Sequence, residues 1–293
     1  MNPSPQTAVV CDTTAYLPEA LVDDLAIHRV SLYVTLEGET QAEAELSDYD
    51  TFYERLGRSR EGASTSQPSV GDFVSVYEPL LAEGRDIVSI HLSAGISGTC
   101  DSANQARQRL IDEDKGGERI RVYDSRSACG GEGLLAIAAA RVAAADGDGE
   151  TVLAKVEETR SELKMWFAID TLEYLRKGGR IGAAQAFLGS TLKIKPILTL
   201  EEEITPIERV RTRRRALERM VDFARERHED GADGWVVQHI HDPETAQQLV
   251  EHGRDIFGSE PIFVSEIGPV IGAHIGPGLL GVGGVPRALL GEG

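Results

Sequence analysis

Three short segments rich in hydroxyl side chains stand where strand-like runs give way to helical ones: Asp12-Thr13-Thr14, Thr65-Ser66-Gln67, and Ser93 through Thr99. Hydroxyls beside the unpaired N–H groups of a helix N-terminus make a ready site for an anion, either a carboxylate or a phosphate. In open parallel sheets such ligands collect outside the carboxyl ends of the strands. Ser and Thr also cap helices, so one such segment is ambiguous, whereas three on one chain favour a ligand. Gly98, between Ser97 and Thr99, would let a backbone N–H come close to a head group.

A fourth segment, Ile267 to Gly278, holds too much glycine to be regular helix or strand throughout, and must turn tightly or approach something closely. It carries His274, whose imidazole can hydrogen-bond an anion or exchange a proton near neutral pH. Two basic clusters complete the set: Arg176, Lys177 and Arg180 around the pair Gly178-Gly179, and the arginines at 209, 211, 213, 214 and 215. Either could attract an anionic substrate or an acidic partner protein. His239 and His241, with Asp242 after them, lie on one side of a predicted strand, but no third ligand is evident and no metal is expected. GxxxxGK[ST], GxGxxG and GxSxG are all absent, so the serines read as hydrogen-bond donors without local nucleophilic activation.

Short β-branched runs alternating with amphipathic helical patterns must position these groups, which predicts an α/β fold around a mainly parallel sheet. Strands are expected at Ala8–Cys11, Ile87–Leu92 and Ile120–Tyr123, with a helix opening at Pro18 and others after Ser69, after Thr99 and after Gly133. Beyond residue 148 the pattern changes. Trp166–Asp170, Ile194–Leu200 and Ile204–Val210 read as strands, the last two as an antiparallel pair turning near Glu202-Glu203, and Trp235–Ile240 and Pro261–Glu266 as further strands after a helix at Arg213–Arg227. The Asp146-Gly147-Asp148-Gly149 stretch is linker-like. Two domains are therefore expected: residues 1–148, Rossmann-like with a mainly parallel sheet and bearing the hydroxyl segments, and residues 149–293, α/β with a mixed sheet. The acidic stretch Glu37 to Asp50 reads as a solvated loop.

Composition narrows the function. Thirty Lys plus Arg against forty-eight Asp plus Glu leave a net charge of −18, a field that opposes nonspecific nucleic-acid binding. A DNA-binding regulator would rest on the arginine cluster alone. Cys11, Cys100 and Cys129 are widely spaced and form no CxxC pair, which fits a reduced cytoplasm. The N-terminus does not read as a signal peptide, and the apolar stretch Leu134–Ala145 is shorter than the ~20 residues that span a bilayer. A soluble cytoplasmic protein without a membrane segment is expected.

Several of these motifs, in this order, resemble the DegV family over nearly the whole chain: Asp12-Thr13-Thr14 with Leu17-Pro18, Thr65-Ser66-Gln67-Pro68, Ser93 to Thr99, Leu172 to Ile181, Ile194-Lys195-Pro196-Ile197, Val210-Arg211-Thr212, and Gly268 to Gly278. The resemblance implies a two-domain protein holding one long-chain fatty acid between its domains, with no catalytic residue, metal or cofactor of its own. It further implies a carrier that presents the acyl carboxylate to a separate fatty acid kinase subunit for acyl-phosphate formation and phospholipid synthesis. Thr65, Ser97, Gly98 and His274 correspond to the carboxylate site; Arg176, Lys177, Arg180 and Arg211 correspond to basic positions used for docking the kinase. The chain departs from the family at Thr13, where Ser is usual, and at Ala94, where a second serine is common. Burying a tail of ~14 methylenes at ~0.8 kcal/mol each gives an upper bound near ~11 kcal/mol, which favours a closed tunnel. Candidate tunnel walls are the Ala-rich helix after Gly133 and Phe187 with Leu188. The alternative is a phosphotransferase-type enzyme acting on a small hydroxylated metabolite.

Overall fold

The first strand, β1 (Thr7–Asp12), is buried on both faces, as a strand covered by helices on either side must be. The structure is a computed structural model and describes residues 6–189 and 194–291. After β1 come α1 (Glu19–Asp24), β2 (His28–Val30), β3 (Tyr33–Leu36), β4 (Glu39–Ala42), α2 (Tyr49–Arg58), β5 (Ala63–Ser66), α3 (Val70–Ala82), β6 (Asp86–His91), α4 (Thr99–Asp112), β7 (Ile120–Asp124) and α5 (Gly130–Ala144). The chain continues through α6 (Gly149–Glu162), β8 (Lys164–Ala168), α7 (Glu173–Lys177), β9 (Lys195–Leu200), β10 (Ile204–Val210), α8 (Arg213–Glu229), β11 (Gly234–His239), α9 (Pro243–Phe257), β12 (Phe263–Glu266), α10 (Pro269–Ile275) and β13 (Leu280–Val285).

Among the described residues the strands form three sheets. One is parallel, in the order β2-β1-β6-β7; one is mixed, in the order β10-β9-β8-β13-β11-β12; the third is a small antiparallel sheet, β4-β3-β5. The α/β class, the parallel sheet and the antiparallel β9–β10 pair agree with the sequence pattern. The central position of β13 was not foreseen: the glycine-rich last strand threads antiparallel between β8 and β11.

Helix α5 explains how the two large sheets are held together. Its sequence, GGEGLLAIAAARVAA, is apolar around most of its circumference, which marks a helix buried on all sides. It packs against Val9, Cys11, Val88 and Ile90 of the parallel sheet and against Val236 and Val285 of the mixed sheet in one continuous core. The outer faces are covered separately, the parallel sheet by α3 and α4 around Phe73, Tyr77 and Leu110, the mixed sheet by α8 and α9 around Met220, Phe223 and Leu249.

The stretch 37–50 is not a solvated loop. Glu37 and Gly38, with φ of 54° and 85°, form a two-residue turn that pairs β3 with β4, both residues having the positive φ that a tight hairpin turn requires. Glu39, the acidic residue of β4, is exposed on the sheet's edge, but Glu43 is buried. Its Oε1 accepts the Tyr16 hydroxyl and the Val270 N–H, both at 2.8 Å, so this carboxyl anchors the first turn of α10. Burial pushes the Glu43 carboxyl up to about 7 from 4.5, against the lowering effect of its hydrogen bonds. Between those values the folded protein keeps a proton that the unfolded chain has released. Stability from this group is therefore greatest below pH 4.5, falls as pH rises through the window, and is level above 7. Urea unfolding at pH 5 and pH 8 should show wild type losing about 2–3 kcal/mol more than Glu43→Gln over that interval. Parallel losses in the two proteins would exclude Glu43 as the source.

Candidate functional site

A mostly apolar cavity lies between the small sheet, α10, the ends of β6 and β7, and the face of the mixed sheet turned away from α8 and α9. The space between its walls, counted out through the mouth, is ≈ 970 Å³. Leu92, Phe167, Leu200, Ile204, Ile275 and Leu279 are part of the apolar wall, and the polar residues on it are Thr65, Ser66, Gln67, Ser97, Ser127, Arg180, Gln238 and His274.

Thr65 is a strand residue: alternation in β5 turns Ala63 and Thr65 inward and leaves Ser64 and Ser66 exposed. Thr65 and Ser66 thus belong to the strand, and not to a loop after it. The Thr65 Oγ1 lies 2.7 Å from His274 Nε2, which joins β5 to α10. Gly178, at the end of α7, passes so close to His274 Nδ1 that a side chain there would collide with the ring. Nδ1 has no hydrogen-bond partner in this buried position. Burial, with Arg180 adding to it, pushes the imidazole down to about 4, so His274 is neutral at physiological pH.

Ser97 precedes α4, and its Oγ lies 2.9 Å from Thr99 Oγ1. The first residue of that helix end, Gly98, has no side-chain cap and is not on the cavity wall itself. A Cβ there would meet Gln67 Nε2 at 2.6 Å, so the glycine makes room for the Gln67 side chain, which does line the cavity. Gln67 was not singled out as a site residue, although it lies inside the Thr65-Ser66-Gln67 motif.

Arg180, grouped by sequence with the docking residues, is on the cavity wall next to His274, donating to Ile96 O at 3.2 Å and Gly178 O at 2.8 Å. Arg176, Lys177 and Arg211 are exposed and off the wall. Lys177 pairs with Glu173, whereas Arg176 and Arg211 have no ion pair among the described residues. The rest of the second cluster is occupied: Arg213 with Asp170 and Asp242, Arg214 and Arg215 with Glu218, and Arg209 over the Phe187 ring.

The first hydroxyl segment does not reach the cavity. Asp12 and Thr14 are fully buried, and Asp12 accepts Thr14 N–H at 3.0 Å, Thr14 Oγ1–H at 2.6 Å and Leu92 N–H at 3.1 Å, with His91 Nδ1 at 3.1 Å. Glu132 lies 3.1 Å from Thr14 Oγ1. Burial, then the neighbouring Asp12, raises the Glu132 carboxyl far above its usual range, so it holds its proton beside Asp12, while the Thr14 hydroxyl lies between the two carboxyl groups. Ser93 is likewise structural, donating to Glu201 O at 3.1 Å across to the β9–β10 turn.

The expected tunnel walls also change. Nothing of α5 from Gly133 onward lines the cavity, because that helix is already enclosed by the two sheets; Phe187 lies under Arg209, and Leu188 is 40% exposed. The floor is instead the mixed sheet, with Phe167 beside Gly281, and Cys129 at its margin. Burial raises the Cys129 thiol well above its ordinary range, which disfavours the thiolate.

Among the described residues no helix is long and apolar enough to cross a membrane. The family model for the uncharacterised DegV family matches residues 6–287. A DegV domain-containing protein of Clostridium acetobutylicum is 39% identical over 277 residues, covering 94% of this chain and 95% of its own. Protein DegV of Bacillus subtilis is 35% identical over 281 residues, covering 94% and 97%. Its solved structure, described as a fatty acid binding protein, superposes with a TM-score of 0.81 over 96% of this chain and 99% of its own. A DegV family protein of Thermus thermophilus, described by its fatty acid binding, gives a TM-score of 0.85 at 32% identity over 96% and 99%. Agreement in sequence and in fold across nearly the full length of both partners means that this chain belongs to the DegV family.

Proposed function

We propose that the protein binds one long-chain fatty acid in this cavity and carries it without altering it. The observation that bears most weight is the cavity itself: mostly apolar, with its hydroxyl, imidazole and guanidinium groups drawn from segments distant in sequence. The B. subtilis and T. thermophilus relatives, described as fatty-acid-binding, support the same ligand. In this reading Thr65 and Ser97 hold the carboxylate, His274 holds it through Thr65, whose hydroxyl it orients, Arg180 supplies the opposite charge, and Gly98 keeps Gln67 in place. The tail lies over Phe167 and Gly281.

A carboxylate only accepts hydrogen bonds, which decides the proton arrangement. With its proton on Nε2, His274 donates to Thr65 Oγ1 and frees the threonine hydroxyl to donate to the ligand. The Nδ1 left without a partner is then a bare lone pair, which costs less than a buried N–H without an acceptor. Dividing the chain near Asp148, Thr65 and Ser97 come from the first part and Arg180 and His274 from the second, so the ligand would be clasped between two domains. Arg176, Lys177 and Arg211, exposed and clear of the cavity, fit docking of a fatty acid kinase subunit that phosphorylates the carboxylate for phospholipid synthesis.

Native mass spectrometry of protein from a bacterial host should find a fatty acid in about equimolar amount. Thr65→Ala and Ser97→Ala should each weaken oleate binding by about tenfold, the value of a hydrogen bond to a charged group. Apo protein that also takes up neither oleate nor palmitate would overturn the reading, and ATP turnover by the isolated chain would favour a phosphotransferase.

A further inference from the structure

We propose that Asp50, His241 and Glu266 form a site for a divalent transition-metal ion on the outside of the cavity's cover. One ligand atom from each lies within 4.8 Å of the others. Sequence placed His239 and His241 together with Asp242, but the fold separates them. His239 is 9% exposed and its Nδ1 accepts the Asp242 N–H at 3.3 Å, while Asp242 is paired with Arg213. The third ligand that the sequence lacked comes from elsewhere, Glu266 from the end of β12 and Asp50 from the first turn of α2.

The donor set and its surroundings suit a cation. One imidazole with two carboxylates is a mixed N/O set of the kind that binds zinc and its neighbours, and three protein ligands leave positions for water. His241 Nδ1 lies 2.9 Å from Asp50 Oδ1, a spacing that two ligands on one ion also adopt. The His241 N–H donates to Glu266 Oε1 at 3.1 Å, which fixes that carboxylate beside the ring. Asp50 is not consumed by helix capping, because Asp48 takes the Thr51 N–H. Among the described residues neither carboxylate has a Lys or Arg within ion-pair distance, and Asp50 is paired with His241.

The location gives the ion a structural effect. Helix α2 belongs to the small sheet's unit, and its Tyr53 hydroxyl already donates to Ile267 O at 2.7 Å, at the entry to α10. A metal at Asp50, His241 and Glu266 would tie α2 to the ends of β11 and β12 beside that same entry. It would thereby stiffen the helix that bears His274.

Calorimetric titration of full-length, tag-free, chelator-treated protein with Zn²⁺ should give one saturable site, and Co²⁺ should show visible d–d bands on binding there. His241→Ala and Glu266→Gln should each weaken Zn²⁺ binding at least about tenfold. Asp50→Asn, at an exposed position, should do the same with an unaltered circular dichroism spectrum. Absence of saturable binding, or variants that bind Zn²⁺ as wild type does, would overturn the site.

Discussion

Replacing Gly281 by Leu is expected to shorten the acyl chain that the protein retains by several carbons and to weaken oleate binding by about two orders of magnitude. Gly281 sits in β13 between Phe167 of β8 and Gln238 of β11. Alternation turns its neighbours Leu280 and Val282 into the core under α8 and α9, and leaves position 281 facing the cavity. A Cβ built there finds nothing nearer than 3.6 Å, an ordinary contact distance, so small side chains are accommodated. Gly283, two residues on, faces the same way but is closed: a Cβ there would collide with Lys164 O and the Met165 sulfur.

The four carbons of a leucine side chain therefore enter space proposed for the ligand tail. Displacing about three to four methylenes at ~0.8 kcal/mol each removes about 3 kcal/mol of binding. Gly281→Ala should fold normally and shift the retained chain-length profile only slightly. The measurement is the profile of co-purified and competitively loaded fatty acids in wild type, Ala and Leu variants. A wild-type protein that binds lipid and a Leu variant with the same profile would place the tail elsewhere; no lipid in either would instead remove the proposed function.

Asp12→Ala is expected to lower stability by about 3–5 kcal/mol, the cost of removing one member of a buried paired network. Asp12 receives the Thr14 and Leu92 N–H groups and the Thr14 hydroxyl, with His91 beside it, and all four residues are buried. His91 continues to Ser89 and Tyr77, at 2.7 Å for each step, so the change strands donors through the middle of the parallel sheet. Alanine leaves the Thr14 and Leu92 N–H groups without an acceptor, each costing about 1–3 kcal/mol when buried, and leaves the Thr14 hydroxyl with Glu132 alone. Chemical denaturation is the measurement, and a loss under 1 kcal/mol would mean that the network rearranges around the gap. A wild-type unfolding free energy of 5–15 kcal/mol is typical, so the variant would be marginal.

This network shows why one hydroxyl segment in three was misleading. Asp12-Thr13-Thr14 has the composition of an anion site, yet its polar atoms are spent on each other, on Glu132 and on His91, residues 118 and 79 positions away from their partners. Composition records which groups are present, not which are already paired. Ser93 is another case, spent on the β9–β10 turn. Thr65, Ser97 and His274, which the fold brings to one cavity wall, were proposed from the order and content of several motifs taken together, each of them weak alone. Arg180 was legible as a cation but not as a wall residue, since its direction depends on where α7 ends against α10.

By itself the sequence determined the α/β class, the order of most strands and helices, the absence of the common nucleotide and nucleophile motifs, and the family pattern. These follow from local periodicity, turn chemistry and residue spacing, which act over a few residues. Only the tertiary structure decided that β13 lies centrally in the mixed sheet, that α5 fills the space between two sheets and so cannot line a tunnel, and that Gly281 forms part of the floor. It also decided that Glu43 is buried and that Glu266 meets His241 and Asp50. All of these are contacts between segments far apart in the chain, and their energies arise from burial and pairing that no local pattern encodes.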